Sequence, residues 1–307
     1  MHLTMVFIDG LGLGTQDSNP VVLASTPNID RLLGGHFLWG DREIKNQEQN
    51  TTLYTLDATL GTPGIPQSAT GQTALWTGVN ASKILGYHHN AYPNDKLTGI
   101  IYEFSIFKQL TRAGKKAAFV NAFTTNYEEQ VTAGKKRLSA STLCALAGEI
   151  RLKRKEDLLA GKAVYQDITN EIYRKRGEDV PLVKPFTAGE NLARISLEYD
   201  FTLFEYFQSD IRGHKRDLEA AVRIIETLDE FLGGYLSVVD PLSPTENKVA
   251  FILTSDHGNI EDLSTSLHTL NKVPALCWSN FELEWPELKG IEDITPAILE
   301  ILLYDRK

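Results

Sequence analysis

Short, continuously apolar segments alternate with helical patterns along most of this chain, and this alternation constrains its fold more than any other feature. Several of the segments are too apolar to leave one side in water, which is typical of strands buried on both faces of a sheet. The alternation predicts an α/β fold, a doubly wound and mostly parallel sheet with helices on both faces. The six predicted strands are residues 4–8, 53–58, 117–122, 202–207, 249–254 and 273–278.

Between these strands, helical periodicity predicts helices at residues 27–33, 188–198, 215–232 and 294–303, with Gly233 and Gly234 ending the third. Residues 124–185 break the rhythm, because they are helical and rich in charge. We interpret this stretch as a small helical lid inserted into a discontinuous core made of residues 1–123 and 186–307.

Composition limits the partners. The 307 residues carry a net charge of −9, whereas broad nucleic-acid binding needs a basic surface, so we expect no nucleic-acid partner.

The early apolar stretch ends at Asp9 without the features of a signal peptide, and no run is long enough to span a membrane. Cys144 and Cys277 lack metal-site or disulfide spacing. We therefore expect a cytoplasmic protein without a membrane partner.

Carboxylate and imidazole side chains follow three of the predicted strands. Each group alone has a simpler explanation, such as a loop cap or a helix cap with a dipole partner. In a doubly wound sheet, however, ligands bind where the carboxyl ends of the strands meet. Carboxylates and imidazoles together suit zinc or manganese, and the set exceeds what one ion takes from a protein. The sequence therefore predicts two divalent cations near Asp9, Asp210, His214, Asp256, His257 and His268.

A candidate nucleophile lies in the segment that follows the second predicted strand. Ser68 precedes an apolar run and is expected at a helix N-terminus, where backbone N–H groups favour an anion. The simpler alternative is a helix-capping serine. Thr70 is a neighbouring hydroxyl that could take the same role or contact substrate.

Three further side chains are candidates for substrate contact. His88 and His89 follow the predicted Ser68 helix and could supply a proton donor or an orienting contact, or could simply make ordinary loop hydrogen bonds. Arg212 lies between Asp210 and His214 and could contact a phosphoryl oxygen or pair with a surface acid.

The motifs as a whole resemble those of the alkaline phosphatase superfamily, and most closely its branch of cofactor-independent phosphoglycerate mutases and phosphopentomutases. The resemblance is carried, in order along the chain, by Asp9-Gly10, the Ser68 loop, Asp210-x-x-Gly213-His214, Asp256-His257-Gly258-Asn259-x-Glu261 and His268-Thr269. It implies an alkaline phosphatase-like fold and two bound cations, manganese or zinc with magnesium as a third option.

The resemblance also implies the ligand sets. One metal would be held by Asp210, His214 and His268. The second would be held by Asp9, Asp256, His257 and the oxygen of Ser68, which would be transiently phosphorylated.

The expected function is two-metal phosphoryl transfer on a small phosphorylated substrate. Hydrolysis is the leading expectation, because residues 69–72 read Ala-Thr-Gly-Gln where the mutase motif has Glu and His, and residues 124–185 hold no evident substrate clamp. A phosphomutase is the alternative, and a non-catalytic metal-binding scaffold is a third reading.

Overall fold

The computed structural model describes residues 1–15, 17–36, 38–240 and 247–304. A seven-stranded sheet of order β2-β3-β7-β6-β1-β5-β4 forms its centre. Its strands are β1 (His2–Ile8), β2 (Ile44–Asn46), β3 (Thr51–Leu56), β4 (Ala117–Phe119), β5 (Phe201–Tyr206), β6 (Val249–Thr254) and β7 (Val273–Ser279). Neighbours among β6, β1, β5 and β4 are parallel, whereas β7 is antiparallel to both β6 and β3, and β2 to β3. The predicted mostly parallel α/β sheet is confirmed.

Helices cover both faces of the sheet. The helices of the described part are α1 (Pro20–Leu23), α2 (Pro27–Leu33), α3 (Ser68–Thr77), α4 (Ala81–Leu85), α5 (Asp95–Phe104), α6 (Ile106–Arg112), α7 (Thr125–Thr132), α8 (Ala140–Ala147), α9 (Lys155–Leu159), α10 (Glu171–Lys175), α11 (Pro185–Ser196), α12 (Gln208–Lys215), α13 (Leu218–Val239) and α14 (Ile294–Leu303). The core on one face is built by α2, α11 and α13, and the core on the other by α3, α5, α6, α8 and α14. The sheet is therefore buried on both sides.

Apart from strand ends that shift by one or two residues, the structure differs from the strand predictions in two places. β2 was not predicted, because its three residues carry one apolar side chain and show no strand pattern. The predicted strand 117–122 is too long, since β4 ends at Phe119. Beyond that point the side chain of Asn121 pairs with the backbone of Glu205, donating from Nδ2 to its carbonyl oxygen (2.7 Å) and accepting from its N–H (2.9 Å). A side-chain amide thus replaces the backbone ladder.

The predicted helix end at Gly233 and Gly234 is wrong, because α13 continues to Val239. These glycines mark a close helix contact. A Cβ on Gly234 would overlap the carbonyl oxygen of Phe186, and one on Gly189 of α11 would overlap that of Phe231. Because these glycines have no side chain, the backbones of α11 and α13 can pack directly against each other.

The charge-rich stretch 124–185 contains α7 to α10. Its helix α8 is built into the core beside α3, because Ala140, Cys144 and Ala145 are buried there together with Trp76. Single backbone bridges join Asn121 to Val164 and Ala122 to Lys153. The domain boundaries at 124 and 185 stay a prediction, and α8 packs as part of the helical layer.

Among the helices of the described residues, none combines the length and the apolar character needed to cross a bilayer.

Candidate metal centre

The carboxyl ends of three adjacent parallel strands carry the predicted acidic and imidazole residues. Asp9 follows β1, Asp256 and His257 follow β6, and Asp210 lies in the first turn of α12 after β5. Since β1 lies between β6 and β5 and runs parallel to both, these ends meet at one edge. His268 joins them from the loop before β7.

One cluster contains Asp9, Asp256 and His257, which offer ligand atoms that lie within 4.8 Å of one another. Nε2 of His257 is 3.4 Å from Oδ1 of Asp9 and 3.4 Å from Oδ2 of Asp256. The hydroxyl of Ser68 lies at its edge, with Oγ 3.0 Å from Nε2 of His257. The structure thus brings together the residues of the second predicted ligand set.

The other cluster contains Asp210, His257 and His268, again within 4.8 Å. Nε2 of His268 lies 3.5 Å from Oδ1 of Asp210, and Nε2 of His214 lies 3.3 Å from Oδ2. The rings of His257 and His268 stack at 3.6 Å between centroids, so His257 lies between the two clusters. His214 lies beside this cluster, with 42% of its side chain accessible.

Burial and crowding shape the charges of the centre. Burial, followed by the nearby Asp256 and Asp210, raises the pKa of Asp9 well above its ordinary value. Burial also raises the pKa of Asp256 to about 7. For His257, burial and then the adjacent His268 lower the pKa to about 3, which keeps the imidazole neutral and able to donate its lone pair to a metal.

The donor set fits divalent cations. In the described part of the chain, the ion-pair partners of Asp9, Asp210 and Asp256 are histidines only. Buried Oδ1 of Asp9 and Nδ1 of His257 make no hydrogen bond to any described group. Buried carboxylates without compensating charge are costly, so atoms left in this state indicate a position for a bound cation.

Backbone carbonyls orient two of the imidazoles. Nδ1 of His214 donates to the carbonyl oxygen of Ser266 at 2.7 Å, and Nδ1 of His268 donates to that of Pro66 at 2.9 Å. Because a carbonyl only accepts, Nδ1 carries a proton in each ring, and Nε2 is the ring nitrogen that faces Asp210. This is the usual arrangement behind metal-binding histidines.

Several residues that support the ligands had no role assigned from sequence. Nδ2 of Asn259 donates to Oδ1 of Asp210 at 2.6 Å, and Nε2 of Gln72 donates to Oδ2 of Asp256 at 3.1 Å. Glu261 in turn accepts the backbone N–H of Asn259 at 2.7 Å. Their position inside or beside the ligand motifs was the available signal.

Ser68 occupies the first position of α3. In the part of the chain that is described, the backbone N–H groups of Ser68 and Ala69 donate to no protein acceptor. A Cβ on Gly71 would lie 2.8 Å from the carbonyl oxygen of Asp256, so this glycine lets α3 approach the loop after β6. The N-terminus of α3 thus presents free amides beside the acidic cluster.

Thr70, His88 and His89 are engaged with the protein itself. The buried hydroxyl of Thr70 donates to the carbonyl of Gln67 at 3.1 Å and accepts the N–H of His89 at 3.3 Å. Nε2 of His88 donates to the carbonyl of Thr62 at 3.1 Å, while the ring of His89 contacts Tyr87. These bonds hold residues 88–89 against α3. Their contact with substrate stays a prediction.

Arg212 acts electrostatically on Tyr206 at the end of β5. Burial raises the pKa of Tyr206, and the guanidinium of Arg212 opposes that effect. Nε of Arg212 is buried without a hydrogen bond to any described residue. Its contact with a phosphoryl oxygen stays a prediction.

The fold and the site together define an α/β protein with a buried carboxylate and imidazole centre of the kind that binds divalent cations. Comparison with known proteins finds similarity over part of the chain. The family model described as the metalloenzyme superfamily matches residues 186–306, which carry five of the predicted ligands but not Asp9 or Ser68.

Relatives and solved structures agree with that match. The 2,3-bisphosphoglycerate-independent phosphoglycerate mutase of Clostridium novyi is 39% identical over 121 residues, covering 36% of this chain and 23% of the mutase. The structure of the PH0037 protein of Pyrococcus horikoshii superposes with a TM-score of 0.59 at 15% identity, covering 100% of this chain and 98% of PH0037. The alkaline phosphatase of the Antarctic bacterium TAB5 gives 0.57 at 13% identity, covering 99% of each chain.

The resemblance predicted from the motifs is confirmed as a similarity, since part of the chain matches the metalloenzyme superfamily model and phosphoglycerate mutases. The alkaline phosphatase-like fold is confirmed as well. The aligned part of the chain spans less than a quarter of the length of the mutase. The structural neighbours establish the fold alone.

Proposed function

We propose that this protein is a metal-dependent phosphoryl-transfer enzyme that forms a phosphoserine at Ser68. The observation that carries the proposal is the position of Oγ of Ser68, 3.0 Å from Nε2 of His257 and at the edge of the cluster that contains Asp9 and Asp256. A role as a helix cap alone would not explain why Asp9, Asp256 and His257 are buried beside this hydroxyl.

In the proposed first step, the phosphoryl group is transferred from the substrate to Ser68. The phosphoryl group of a small ester lies beside Ser68, with its oxygens toward the free amides of Ser68 and Ala69. The hydroxyl of Ser68 loses its proton to solvent, and Oγ bonds to phosphorus in line with the ester oxygen. The bond between phosphorus and the ester oxygen breaks, and this oxygen leaves with the electron pair and takes up a proton from solvent. Two divalent cations, when bound by the two ligand sets, would stabilise the serine alkoxide and the phosphoryl oxygens.

For the second half of the reaction, the named relatives favour a phosphomutase. In that case the phosphoserine returns its phosphoryl group to another hydroxyl of the substrate, which must stay bound while water is excluded. The support comes from matches to phosphoglycerate mutases that cover about a third of this chain.

Hydrolysis is the second candidate. It is favoured by the sequence after Ser68, where the Glu and His of the mutase motif are replaced. Gln72, the last of these positions, is used in the structure to bind Asp256. Water would then accept the phosphoryl group.

The nucleophile is tested by Ser68→Ala. We expect turnover of 4-nitrophenyl phosphate and of small phosphate monoesters to fall by about 10³-fold or more, because the other hydroxyls of α3, on Thr70, Thr73 and Thr77, donate to backbone carbonyls. Metal content, measured by elemental analysis, should remain close to that of the wild type. Ser237→Ala on α13 is the matched control and should retain full activity. Undiminished turnover by Ser68→Ala would refute the phosphoserine.

The acceptor is tested by following one phosphorylated substrate with two readouts, free phosphate and the positional isomer. An isomer formed without free phosphate supports the mutase, and stoichiometric phosphate supports the hydrolase. Stoichiometric metal without turnover of any ester would instead support the non-catalytic scaffold.

A further inference from the structure

A second polar site lies next to the metal centre and is not used by the proposed chemistry. It is a cavity of about 190 Å³ at the carboxyl ends of β4 and β5. β5 and the residue that follows it contribute Glu205 and Phe207 to its wall, while Lys136 and Arg176 come from the charge-rich stretch. The first turn of α8 also lines it, through Thr142.

Two cations face this cavity without an acidic partner. Nζ of Lys136 lies 4.6 Å from the centre of the Tyr127 ring, and Nη1 of Arg176 donates to the hydroxyl of Tyr165 at 2.8 Å. In the described part of the chain neither cation forms an ion pair. Burial and the charge of Arg176 lower the pKa of Lys136, as expected for two cations that share one space. An anion would relieve this repulsion.

The cavity wall also contains a buried carboxyl group. Glu205 is 1% exposed, and its Oε2 accepts a hydrogen bond from Oγ of Ser141 at 2.7 Å. Its Oε1 is buried and has no hydrogen-bond partner among the described residues. Because a buried polar atom is normally satisfied, this oxygen indicates a ligand group that reaches it from the cavity.

The walls and the volume limit what can enter. Aromatic side chains form much of the lining, namely Tyr92, Phe119, Phe123, Tyr127, Tyr165 and Phe207. Such walls exclude water and suit a flat group. At about 190 Å³ the cavity is smaller than the roughly 300–1,000 Å³ of sites for drug-sized ligands. It suits a single ring rather than a nucleotide.

We propose that this cavity binds the organic part of the substrate, a small planar anion that also carries a hydroxyl group. The anionic group lies between Lys136 and Arg176, and the hydroxyl donates to Oε1 of Glu205. The assignment of this ligand as part of the substrate rests on the proposed phosphoryl transfer. The binding of a planar anion in the cavity does not depend on that proposal.

The cavity and the metal centre share two elements. β5 contributes its penultimate residue, Glu205, to the cavity wall and leads into α12, which carries Asp210. On the other side, the backbone of His89 accepts the N–H of Thr70 in α3 at 3.2 Å, and three residues later Tyr92 lines the cavity. One small substrate could therefore contact both places.

Binding is tested with 4-hydroxybenzoate by isothermal titration calorimetry on the metal-loaded full chain. We expect Lys136→Met to weaken its affinity about tenfold or more, since a charged hydrogen bond is lost. Lys135→Met, an exposed neighbour outside the cavity, is the matched control and should bind like the wild type. Benzoate, which lacks the hydroxyl, and 4-hydroxybenzyl alcohol, which lacks the anion, should both bind more weakly.

The link to catalysis is tested by inhibition of 4-nitrophenyl phosphate turnover. Competitive inhibition by 4-hydroxybenzoate, weakened in Lys136→Met and retained in Lys135→Met, supports the proposal. No binding to the wild type, or equal binding by Lys136→Met and Lys135→Met, overturns the cavity as an anion site. Binding that does not compete overturns its assignment to the substrate. If the protein bound 4-hydroxybenzoate through Lys136 but turned over no phosphate ester, the proposed function would be refuted. The assignment of the cavity as an anion site would still hold.

Discussion

Gln72 is a neutral side chain that acts on the charge of a buried ligand. Burial raises the pKa of Asp256 to about 7, and the hydrogen bond from Nε2 of Gln72 opposes that rise. The bond also fixes which oxygen of Asp256 is turned toward His257. Gln72 is thus a positioning residue for the carboxylate, in the way that partners behind metal ligands generally are.

We expect Gln72→Met to weaken metal binding by roughly 10–100-fold, because removal of such a partner usually has an effect of this size. Competition against a chelator of known affinity measures the change. Gln109→Met is the control, since Nε2 of Gln109 donates to a backbone carbonyl on the exposed side of α6. Equal affinities in the two variants would contradict the role assigned to Gln72.

Glu205 predicts a pH dependence of stability. Burial raises its pKa from an ordinary value near 4.5 to about 8, so between these values the folded protein holds a proton that the unfolded chain has lost. The folded state binds more protons, and stability must therefore fall as pH rises through this window. Glu205→Gln removes the titrating group, and its free energy of unfolding should fall less between pH 5 and 8.

Urea unfolding of both proteins at pH 5, 6.5 and 8, at a fixed metal concentration, measures this difference. We expect it to amount to a few kcal/mol at most, since each pKa unit corresponds to about 1.4 kcal/mol. A constant difference across the range would show that Glu205 does not titrate there.

At this scale the sequence located the candidate ligands but not their environment. Asp9, Asp210 and Asp256 could be placed at one edge because each follows a recognisable strand. The shared position of His257 could not be predicted, because it depends on a ring stacking of 3.6 Å that only packing determines. The cavity at Glu205 was missed for the same reason, since its walls come from separate segments.

At the scale of elements, glycine has opposite effects in two helices. Gly234 lies inside α13 where a Cβ would overlap the backbone of Phe186, whereas a Cβ on Gly99 of α5 would have no neighbouring atom within 4 Å. The periodic pattern alone treats both as helix-weakening residues. Contact between helices decides their role, and for that reason the predicted end of α13 was wrong.

Paired substitutions test this reasoning. Gly234→Ala should lower the free energy of unfolding by about 2–3 kcal/mol, because α11 must move away. Gly99→Ala should raise it by about 0.5–1 kcal/mol, through the better helix propensity of alanine. Denaturant unfolding followed by circular dichroism gives both values. Similar effects of the two substitutions would argue against close packing of α11 on α13.

At the scale of the whole molecule, the metal centre joins segments that are far apart in the chain. Its ligands run from Asp9 to His268, and they come from the ends of three strands and from a loop. In the unfolded chain these groups are separated, so a cation that needs several of them binds the folded state preferentially. Binding of this kind stabilises the folded state by an amount that grows with the ratio of free metal to Kd.

Chelation should therefore destabilise the protein as a unit. With free metal at 100 times Kd, one site contributes about 2.7 kcal/mol, so we expect EDTA to lower Tm by several degrees. Calorimetry with manganese, zinc and magnesium in turn compares the metals.

Asp210→Asn should reduce the metal-dependent rise in Tm, because it removes a charge shared by His214 and His268. Ser68→Ala should retain most of that rise, since the carboxylates and imidazoles remain. If Tm were the same with metal and with EDTA, the three carboxylates of the centre would have to be accommodated without a cation, and the site would need another source of positive charge.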